Sequence, residues 1–314
     1  MDTKEKELET AVLFVTYTRL DTTKKVFERI RKAKPKRLYI SSNMGVSEEE
    51  KERVSAVRVY LEENIDWECQ VQKLYRTECL SVKDSISGAI DWFFSCEEMG
   101  IILEDDCLPS QSFFWFCEDL LNKYKSDMRV GQISGDNFQK GIKRGDGDYY
   151  FSTYNHIWGW ASWANRWENY DVSLNSFENT KFIEEIFDKK STLDYWSNIF
   201  KRVKKGNINT WDYQWTFSLW RKQQLTVLPN TNLIENIGFG SEAVHTTEKT
   251  EFSNLQAFEI ESINHPKCVE RNLEADEFTT EHMFKNELFI TRFISKVGRL
   301  LKASKLYAIK KLNW

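Results

Sequence analysis

The sequence predicts an α/β fold in which a mostly parallel sheet is flanked by helices. Up to Tyr124, apolar runs of strand length alternate with stretches that carry apolar residues at helical spacing. Such alternation is typical of βαβ units. Each apolar run also ends in polar residues, and ligands of open parallel sheets bind beyond the carboxyl ends of the strands. We therefore expect the loops after Tyr17, after Ser42 and at Glu104 to share one functional edge.

The first half of the chain supplies the regular elements. Strands are predicted at 11–17, 37–42, 67–74 and 100–103. Helices are predicted from Asp21 or Thr22 to Lys34, from a Ser47 cap to Leu61, from Ser81 to Phe94, and from Phe113 to Tyr124. Pro35 ends the first helix, and serines precede the second and third as N-caps. These elements build the four-stranded parallel part of the sheet.

The second half is less regular. Strands are predicted at 130–135, 149–152 and 225–229, with a glycine-rich turn at 143–148. Helical segments are predicted from the tryptophan cluster at 158–163 to Tyr170, within 176–205, and from Trp211 to Arg221. Trp160, Trp163 and Trp167 recur at helical spacing, which is typical of core residues.

Composition excludes several classes of protein. The chain has 314 residues, of which 41% are hydrophobic, and a net charge of −4. That charge argues against a general nucleic-acid binder, which would carry a basic footprint. The six cysteines include no Cys-x-x-Cys pair, so a zinc site is not expected. The sequence shows no secretory signal and no apolar run of membrane-spanning length, so we expect a cytoplasmic protein with free thiols.

The C-terminal part has a different character. Residues 291–314 contain lysines and arginines and no acid, while Phe293, Val297, Leu300 and Leu301 share one helical face. A basic amphipathic helix can lie on an anionic membrane surface, or can pack its apolar stripe on its own domain. We therefore predict a catalytic domain at 1–250 and a helical extension at 251–314, with peripheral membrane contact through 291–314 as one of two interpretations.

Glu104, Asp105 and Asp106 directly follow the apolar run at 100–103. Neighbouring carboxylates raise one another's pKa, so three of them at the end of a buried strand need a counter-charge. A hard divalent cation that also binds a substrate diphosphate would supply it. The alternative is that the acids are solvated turn residues that cap the following helix.

Five segments together resemble a known family. They read FVTYTR at 14–19, GIILEDDCLP at 100–109, HIWGWASW at 156–163, WDYQW at 211–215 and NIGFG at 236–240. In this order they resemble bacterial nucleotide-diphospho-sugar transferases labelled hemolytic-protein HlpA-like. These are similar to the N-acetylglucosaminyltransferase I family, which has a GT-A (Rossmann-like) glycosyltransferase fold. The region past residue 250 is not covered by the resemblance.

The resemblance implies inverting transfer of a sugar from a nucleotide-diphosphate-sugar, with a UDP-sugar favoured, to a hydroxyl of a saccharide acceptor. It implies Mn²⁺ or Mg²⁺ as cofactor and a role in surface polysaccharide or glycan synthesis. Asp106 would bind the metal, and Glu104 and Asp105 would face the donor.

The nucleotide-binding edge implied by the resemblance is formed by Thr16, Tyr17 and Arg19. The chain departs from the family at two positions near the base pocket. Thr18-Arg19-Leu20-Asp21 stands where Asn-Arg-Pro-Asp is expected, and Asn43 stands where an acid is expected after the second strand. Asn43 is accordingly a donor-binding candidate, but the identity of the base is open.

Asp212 is the candidate general base, since the family's base lies in a Trp-Asp segment ahead of an aromatic helix. Desolvation beside tryptophans can raise the pKa of a carboxylate toward the working range. The alternative is that Asp212 is only the N-cap of that helix.

The remaining candidates are assigned by their surroundings. Trp158 and Gly159 are predicted to line the sugar pocket, because a glycine between tryptophans permits close backbone approach. His245 is predicted to complete the metal shell or to contact the diphosphate. Lys83 and Arg144 could meet the diphosphate, against the alternative that they are solvated surface cations.

Two other functions compete with sugar transfer. A nucleotidylyltransferase would share the fold and the metal, but it should carry a glycine-rich, arginine-containing loop after the first strand, where this chain has Thr18 to Asp21. A non-catalytic carbohydrate-binding module would explain the 12 tryptophans as stacking platforms, but not the acids at the strand end.

Overall fold

The computed structural model describes residues 7–238 and 255–284. The strands are β1 (Ala11–Thr16), β2 (Arg37–Ser42), β3 (Gln70–Tyr75), β4 (Met99–Glu104), β5 (Cys107–Pro109), β6 (Val130–Ser134), β7 (Tyr149–Ser152), β8 (Trp160–Trp163), β9 (Leu225–Pro229) and β10 (Ile234–Asn236). The helices are α1 (Leu20–Ala33), α2 (Glu48–Asn64), α3 (Val82–Cys96), α4 (Gln111–Tyr124), α5 (Ala164–Trp167), α6 (Lys181–Glu184), α7 (Lys190–Lys204), α8 (Asp212–Arg221) and α9 (Leu273–Met283).

Eight strands form one sheet in the order β3-β2-β1-β4-β8-β6-β9-β7, and β10 pairs with β5 in a second, two-stranded sheet. Strands β1 to β4 are parallel to one another. Strand β8 is antiparallel to both β4 and β6, β9 is parallel to β6, and β7 is antiparallel to β9. The large sheet is therefore mostly parallel, which confirms the predicted α/β fold class.

Helices cover both faces of this sheet. Helices α1, α2 and α4 contribute Phe27, Val57 and Phe114 to a core on one face. Helices α3, α7 and α8 contribute Phe93, Trp196 and Trp215 to a core on the other face. Strands β1 and β4 send alternate residues into the two cores, which explains their nearly continuous apolar sequence.

Local sequence signals explain where several helices begin. Ser47 forms a capping box with Glu50 at the start of α2, and the Ser81 side chain accepts the Asp84 N–H at the start of α3. Helix α1 begins at Leu20, with Arg19 at its N-cap, rather than after Asp21 or Thr22. The predicted helical stretch at 176–205 contains the separate helices α6 and α7.

The tryptophan cluster differs from its predicted conformation. Trp160 to Trp163 form strand β8 between β4 and β6, where a helix was expected. Trp160 and Trp163 project to opposite faces of the sheet and are each 1% exposed. The prediction that they are core residues is correct, but a strand buried on both faces lacks the polar alternation that would identify it.

Residues 255–284 contact the body of the sheet domain. The Glu259 carboxylate accepts the N–H groups of Gln111 and Ser112, at 2.8 and 2.7 Å, at the start of α4. Asn264 pairs with Asp148, and Ala275 on α9 packs on Tyr150 and Leu228. Within the predicted extension, 255–272 is mostly irregular and α9 is helical. The predicted boundary near residue 250 stays a prediction, and 291–314 lies outside the described residues.

Across the two described ranges, none of the helices is both long enough and apolar enough to span a bilayer.

Candidate functional site

The sheet brings the predicted site segments to one edge. Thr16 is in register with Ser42, and Val15 with Glu104, so strands β1, β2 and β4 end together. Strand β8 runs the other way and pairs its first residue, Trp160, with Ile102, so the residues before Trp160 also reach this edge. The fold therefore places the loop after β1, the acidic triplet and the Trp158–Gly159 turn around the same edge.

Arg19 bridges two acids of the triplet. Its guanidinium donates to Asp105 Oδ1 and lies 2.9 Å from Asp106 Oδ2. Asp105 is 3% exposed, and its Oδ2 also accepts the Tyr17 backbone N–H at 3.1 Å. The loop after β1 and the end of β4 are thus joined through Asp105. Two groups of residues that were predicted separately form one cluster.

Burial dominates the electrostatics of the triplet. It raises the pKa of Asp105 to about 6, with the Arg19 guanidinium opposing the rise and Asp106 adding to it. The pKa of Glu104 is also raised, first by burial and then by the neighbouring Asp106 and Asp105. Asp212 contributes to that rise as well, so its carboxylate lies within electrostatic reach of Glu104. The predicted base and the triplet are therefore close enough to interact electrostatically.

Asp212 is the first residue of α8, and the N-cap position belongs to Trp211. The alternative that Asp212 is merely the N-cap is therefore wrong. Its carboxylate accepts a hydrogen bond from the Thr210 hydroxyl instead, through Oδ1. The Thr210 hydroxyl therefore helps to orient the Asp212 carboxylate.

Asp106 is the predicted metal ligand whose environment can be tested. Its side chain is 19% exposed, and its carboxylate oxygens are the donor type that Mn²⁺ and Mg²⁺ prefer. Its Oδ2 lies 2.9 Å from the Arg19 guanidinium and so already has a positively charged partner. Among residues 7–238 and 255–284, no group of three or more His, Cys, Asp or Glu side chains could hold a metal ion. His245 lies outside the described residues.

Gly238 approaches the triplet very closely. A Cβ atom at this position would lie 2.2 Å from Asp106 Oδ2 and 2.8 Å from Arg19 Nη1. The Ile237 N–H donates to the Asp106 carbonyl at 2.8 Å. A side chain at 238 would therefore have to shift the Asp106 carboxylate and the Arg19 guanidinium.

Trp158 and Gly159 directly precede β8 at the edge where β4 ends. Gly159 has a φ of +77°, and a Cβ there would lie 2.6 Å from Ile234 Cδ1. The close approach that this glycine permits in the described structure is thus to Ile234 on β10. The Trp158 ring is half-buried and lies edge-on to Phe138 at 5.1 Å.

The other predicted donor residues have varied surroundings. The Asn43 side chain bonds both backbone groups of Leu80, at 2.9 and 3.1 Å, and so holds the 76–81 loop against the end of β2. Lys83 lies in the first turn of α3, 3.8 Å from Asp84. Thr16 is buried, and its hydroxyl donates to the Ser41 carbonyl.

The Arg144 side chain is buried and has partners of its own. Its guanidinium donates to Gln139 Oε1 at 2.8 Å and lies 3.5 Å from Glu274 of α9. These contacts attach residues 255–284 to the sheet domain. They give Arg144 structural partners, and the suggested diphosphate contact stays a prediction.

Asp136 is a buried acid at the edge to which the sequence gave no role. It accepts the Ser134 hydroxyl at 2.8 Å and the Trp158 N–H at 3.3 Å, so it fixes the turn before β8. Burial raises its pKa to about 7, against those two hydrogen bonds. The polar exit from β6 was visible in the sequence, but its partner at Trp158 is created by the fold.

The tryptophan excess is mainly a core feature. The buried tryptophans, each at most 3% exposed, are Trp160, Trp163, Trp167, Trp196, Trp211, Trp215 and Trp220. Buried rings cannot serve as sugar-stacking platforms. The observation that supported a carbohydrate-binding module is thereby removed for these residues.

Comparison with known proteins finds structural matches without sequence matches. No protein-family model and no curated protein matches the chain. Among solved structures, the mannosyltransferase PcManGT from Pyrobaculum calidifontis, in complex with GDP-Man and Mn²⁺, matches with a TM-score of 0.39 and 11% identity. The match covers 67% of this chain and 69% of that chain.

Two further structures match at similar levels. The galactosyltransferase LgtC, in complex with donor and acceptor sugar analogs, has a TM-score of 0.35 and 12% identity over 67% of this chain and 70% of its own. A UDP-glucose pyrophosphorylase complexed with UDP-glucose has a TM-score of 0.32 and 10% identity over 53% of this chain and 80% of its own. Glycosyltransferases and nucleotidyltransferases are thus both among the matches, and these similarities do not distinguish between them.

Proposed function

We propose that this protein transfers a sugar from a nucleotide-diphosphate-sugar, preferably a UDP-sugar, to a hydroxyl of a saccharide acceptor with inversion of configuration. The observation that carries the proposal is the cluster at the carboxyl edge of β1 and β4. There Arg19, Asp105 and Asp106 contact one another, and Asp212 lies within electrostatic reach of Glu104. This arrangement supports a donor site that lies beside a general base.

The donor would lie along the edge between the β1 loop and the Trp158–Gly159 turn. Tyr17 and Arg19 would contact the nucleotide, with Asn43 holding the loop behind them. Glu104 and Asp105 would face the ribose and the sugar through their oxygens. Burial and the nearby Glu50 carboxylate raise the pKa of Tyr17 to about 12, so its phenol stays protonated and can donate. Lys83 would approach the diphosphate from α3.

The transfer step assigns one proton to Asp212. The acceptor oxygen forms a bond to the anomeric carbon while its proton passes to the Asp212 carboxylate. The bond from the anomeric carbon to the diphosphate oxygen breaks, and its electron pair leaves with the nucleoside diphosphate. Because attack and departure occur on opposite faces of the sugar, its configuration inverts.

Asp106 would hold a Mn²⁺ or Mg²⁺ ion, with His245 as a further candidate ligand. When bound, the cation would act as a Lewis acid that stabilises charge on the departing diphosphate. Arg19 would then keep its hydrogen bond to Asp105 and lose its contact with Asp106 Oδ2. The partial exposure of the Asp106 carboxylate supports this assignment.

The experiment is hydrolysis of UDP-glucose, UDP-galactose, UDP-N-acetylglucosamine and GDP-mannose with MnCl₂, for wild type, Asp106→Ala and Asp212→Asn. We expect Asp212→Asn to lower kcat by about 10²–10⁴-fold with donor KM retained, because only the base is lost. We expect Asp106→Ala to lose both turnover and the dependence on Mn²⁺. Asp194→Asn, an exposed acid on α7, is the matched control.

Wild-type turnover by both site variants would refute the mechanism. Release of pyrophosphate from a sugar 1-phosphate and a nucleoside triphosphate would favour a nucleotidylyltransferase instead. Glycan binding with no metal dependence and no donor turnover would favour the binding module.

A further inference from the structure

The Asp212 carboxylate is restrained by a residue that precedes it in the chain. The Thr210 hydroxyl donates to Asp212 Oδ1. A hydroxyl has a single proton, and an ionised carboxylate can only accept, so the direction of this bond is fixed. One oxygen of Asp212 is therefore engaged by Thr210, and the orientation of the carboxylate plane is restricted.

The backbone that carries both residues is held from two sides. Gln214 Nε2 donates to the Thr210 carbonyl at 2.6 Å. The Tyr170 hydroxyl donates to the Trp211 carbonyl at 3.0 Å. Both contacts act on the segment 210–211 that leads into α8. The Thr210–Asp212 bond therefore forms on a fixed backbone.

Tyr170 is itself fixed by the aromatic core. Its ring stacks on Trp167, with centroids 4.2 Å apart and an interplanar angle of 11°. The Trp167 indole N–H donates to Asp91 Oδ1 of α3 at 2.7 Å. The path from α3 through Trp167 and Tyr170 to Trp211 is continuous. It anchors the start of α8 to the helix that covers the same face of the sheet.

We propose that Thr210 is a positioning residue for Asp212, whose hydrogen bond to Oδ1 sets the orientation in which the carboxylate takes the proton of the acceptor hydroxyl. The proposal rests on the proposed function, in which Asp212 is the base. A base must lie within hydrogen-bond reach of the proton it removes, so restricting its orientation increases the fraction of productive complexes. Among the described residues, Glu104 on β4 and Tyr170 are two titratable groups on which the Asp212 carboxylate acts electrostatically.

The test compares Thr210→Val, which keeps the shape and removes the hydroxyl, with Thr210→Ser, which keeps the hydroxyl. Hydrolysis of the same four donors is measured from about pH 5 to about pH 9. Thr210→Val should lower kcat by about 10–100-fold with donor KM unchanged, since the ground-state contacts of the donor are intact. Its acidic limb should move to higher pH, because a donor to the charged carboxylate is lost. Thr210→Ser should keep kcat within a few-fold of wild type and leave the acidic limb at the wild-type pH.

A second readout does not depend on turnover. Crystal structures of both variants should show the Asp212 side chain rotated in Thr210→Val and unmoved in Thr210→Ser. If Thr210→Val does not fold, Tyr170→Phe provides the test, because it removes the bond to the Trp211 carbonyl and keeps the stacked ring. It should lower kcat and leave the donor KM unchanged.

The outcomes separate this proposal from the proposed function. Full turnover by Asp212→Asn would refute both the assignment of Asp212 as the base and the positioning role of Thr210. An inactive Asp212→Asn beside a Thr210→Val with wild-type kcat, pH profile and Asp212 rotamer would overturn only the role of Thr210. Equal losses in Thr210→Val and Thr210→Ser would overturn it too, since they would not depend on the hydroxyl.

Discussion

Asp136 is a single residue that links the stability of the site to pH. It is 1% exposed, and burial raises its pKa to about 7. An unfolded aspartate loses its proton at about pH 4. Between these values the folded protein holds a proton that the unfolded chain has released. The contribution of Asp136 to the free energy of unfolding is therefore fully present below about pH 4 and is lost as the pH rises through 7.

We predict that Asp136→Asn removes this pH dependence. An amide can still accept the Trp158 N–H and donate to Ser134, but it does not ionise. The free energy of unfolding in urea is measured at about pH 5 and about pH 8. The decrease from the lower to the higher pH should be smaller in the variant than in wild type by on the order of 2 kcal/mol. Asp194→Asn, an exposed acid, should retain the wild-type difference. An equal difference in wild type and Asp136→Asn would contradict the prediction.

For single residues, the sequence identified the candidate side chains of the site but not the residues that they contact. The acidic triplet was recognisable because it follows an apolar run, and Asp212 because it stands in a Trp-Asp segment. The bridge from Arg19 to Asp105 and Asp106 joins segments far apart in the chain, and the Asp136–Trp158 bond crosses from β6 to β8. Such pairs are set by strand order, which a single sequence does not specify.

Among the elements, the turn into β8 depends on one glycine. Gly159 has a φ of +77°, and Gly141 has a similar φ of +80°. A Cβ at 159 would meet Ile234 at 2.6 Å and Leu103 at 3.2 Å, whereas one at 141 would meet nothing within 4 Å. The two positions share the backbone strain of a left-handed residue but differ in packing.

We predict that Gly141→Ala costs about 1 kcal/mol of unfolding free energy from backbone strain alone. Gly159→Ala should cost about 3 kcal/mol, because the Ile234 and Leu103 side chains must also shift to make room. Urea titrations of both variants measure the difference. Equal losses would mean that the contact with Ile234 does not hold the turn. Donor KM should rise in Gly159→Ala and stay unchanged in Gly141→Ala.

Most strands and helices of the first half were predicted within a few residues, since hydrophobic period and serine caps act locally. Strand β8 was predicted as a helix because Trp160, Trp163 and Trp167 recur at a helical interval. The strand is buried on both faces, so its apolar residues carry no period of two. The antiparallel insertion of β8 between β4 and β6 could not be read from local spacing.

For the molecule as a whole, the site is a consequence of sheet topology. Strands β1 and β4 meet at their carboxyl ends, and the reversed β8 returns the Trp158 turn to the same edge. Helices α3 and α8 lie on one face and bring Asp212 toward Glu104. Residues 255–284 attach to the start of α4 and to β7, and so help to hold these elements in place.

The most direct test is a thermal-shift measurement with UDP-glucose, UDP-galactose, UDP-N-acetylglucosamine and GDP-mannose, each with and without MnCl₂. We predict that at least one donor raises Tm only with Mn²⁺, that Asp106→Ala abolishes the rise, and that Asp212→Asn retains it, because the base is not needed for donor binding. Failure of every donor to raise Tm, or an unchanged rise in Asp106→Ala, would contradict a nucleotide-sugar site at this edge.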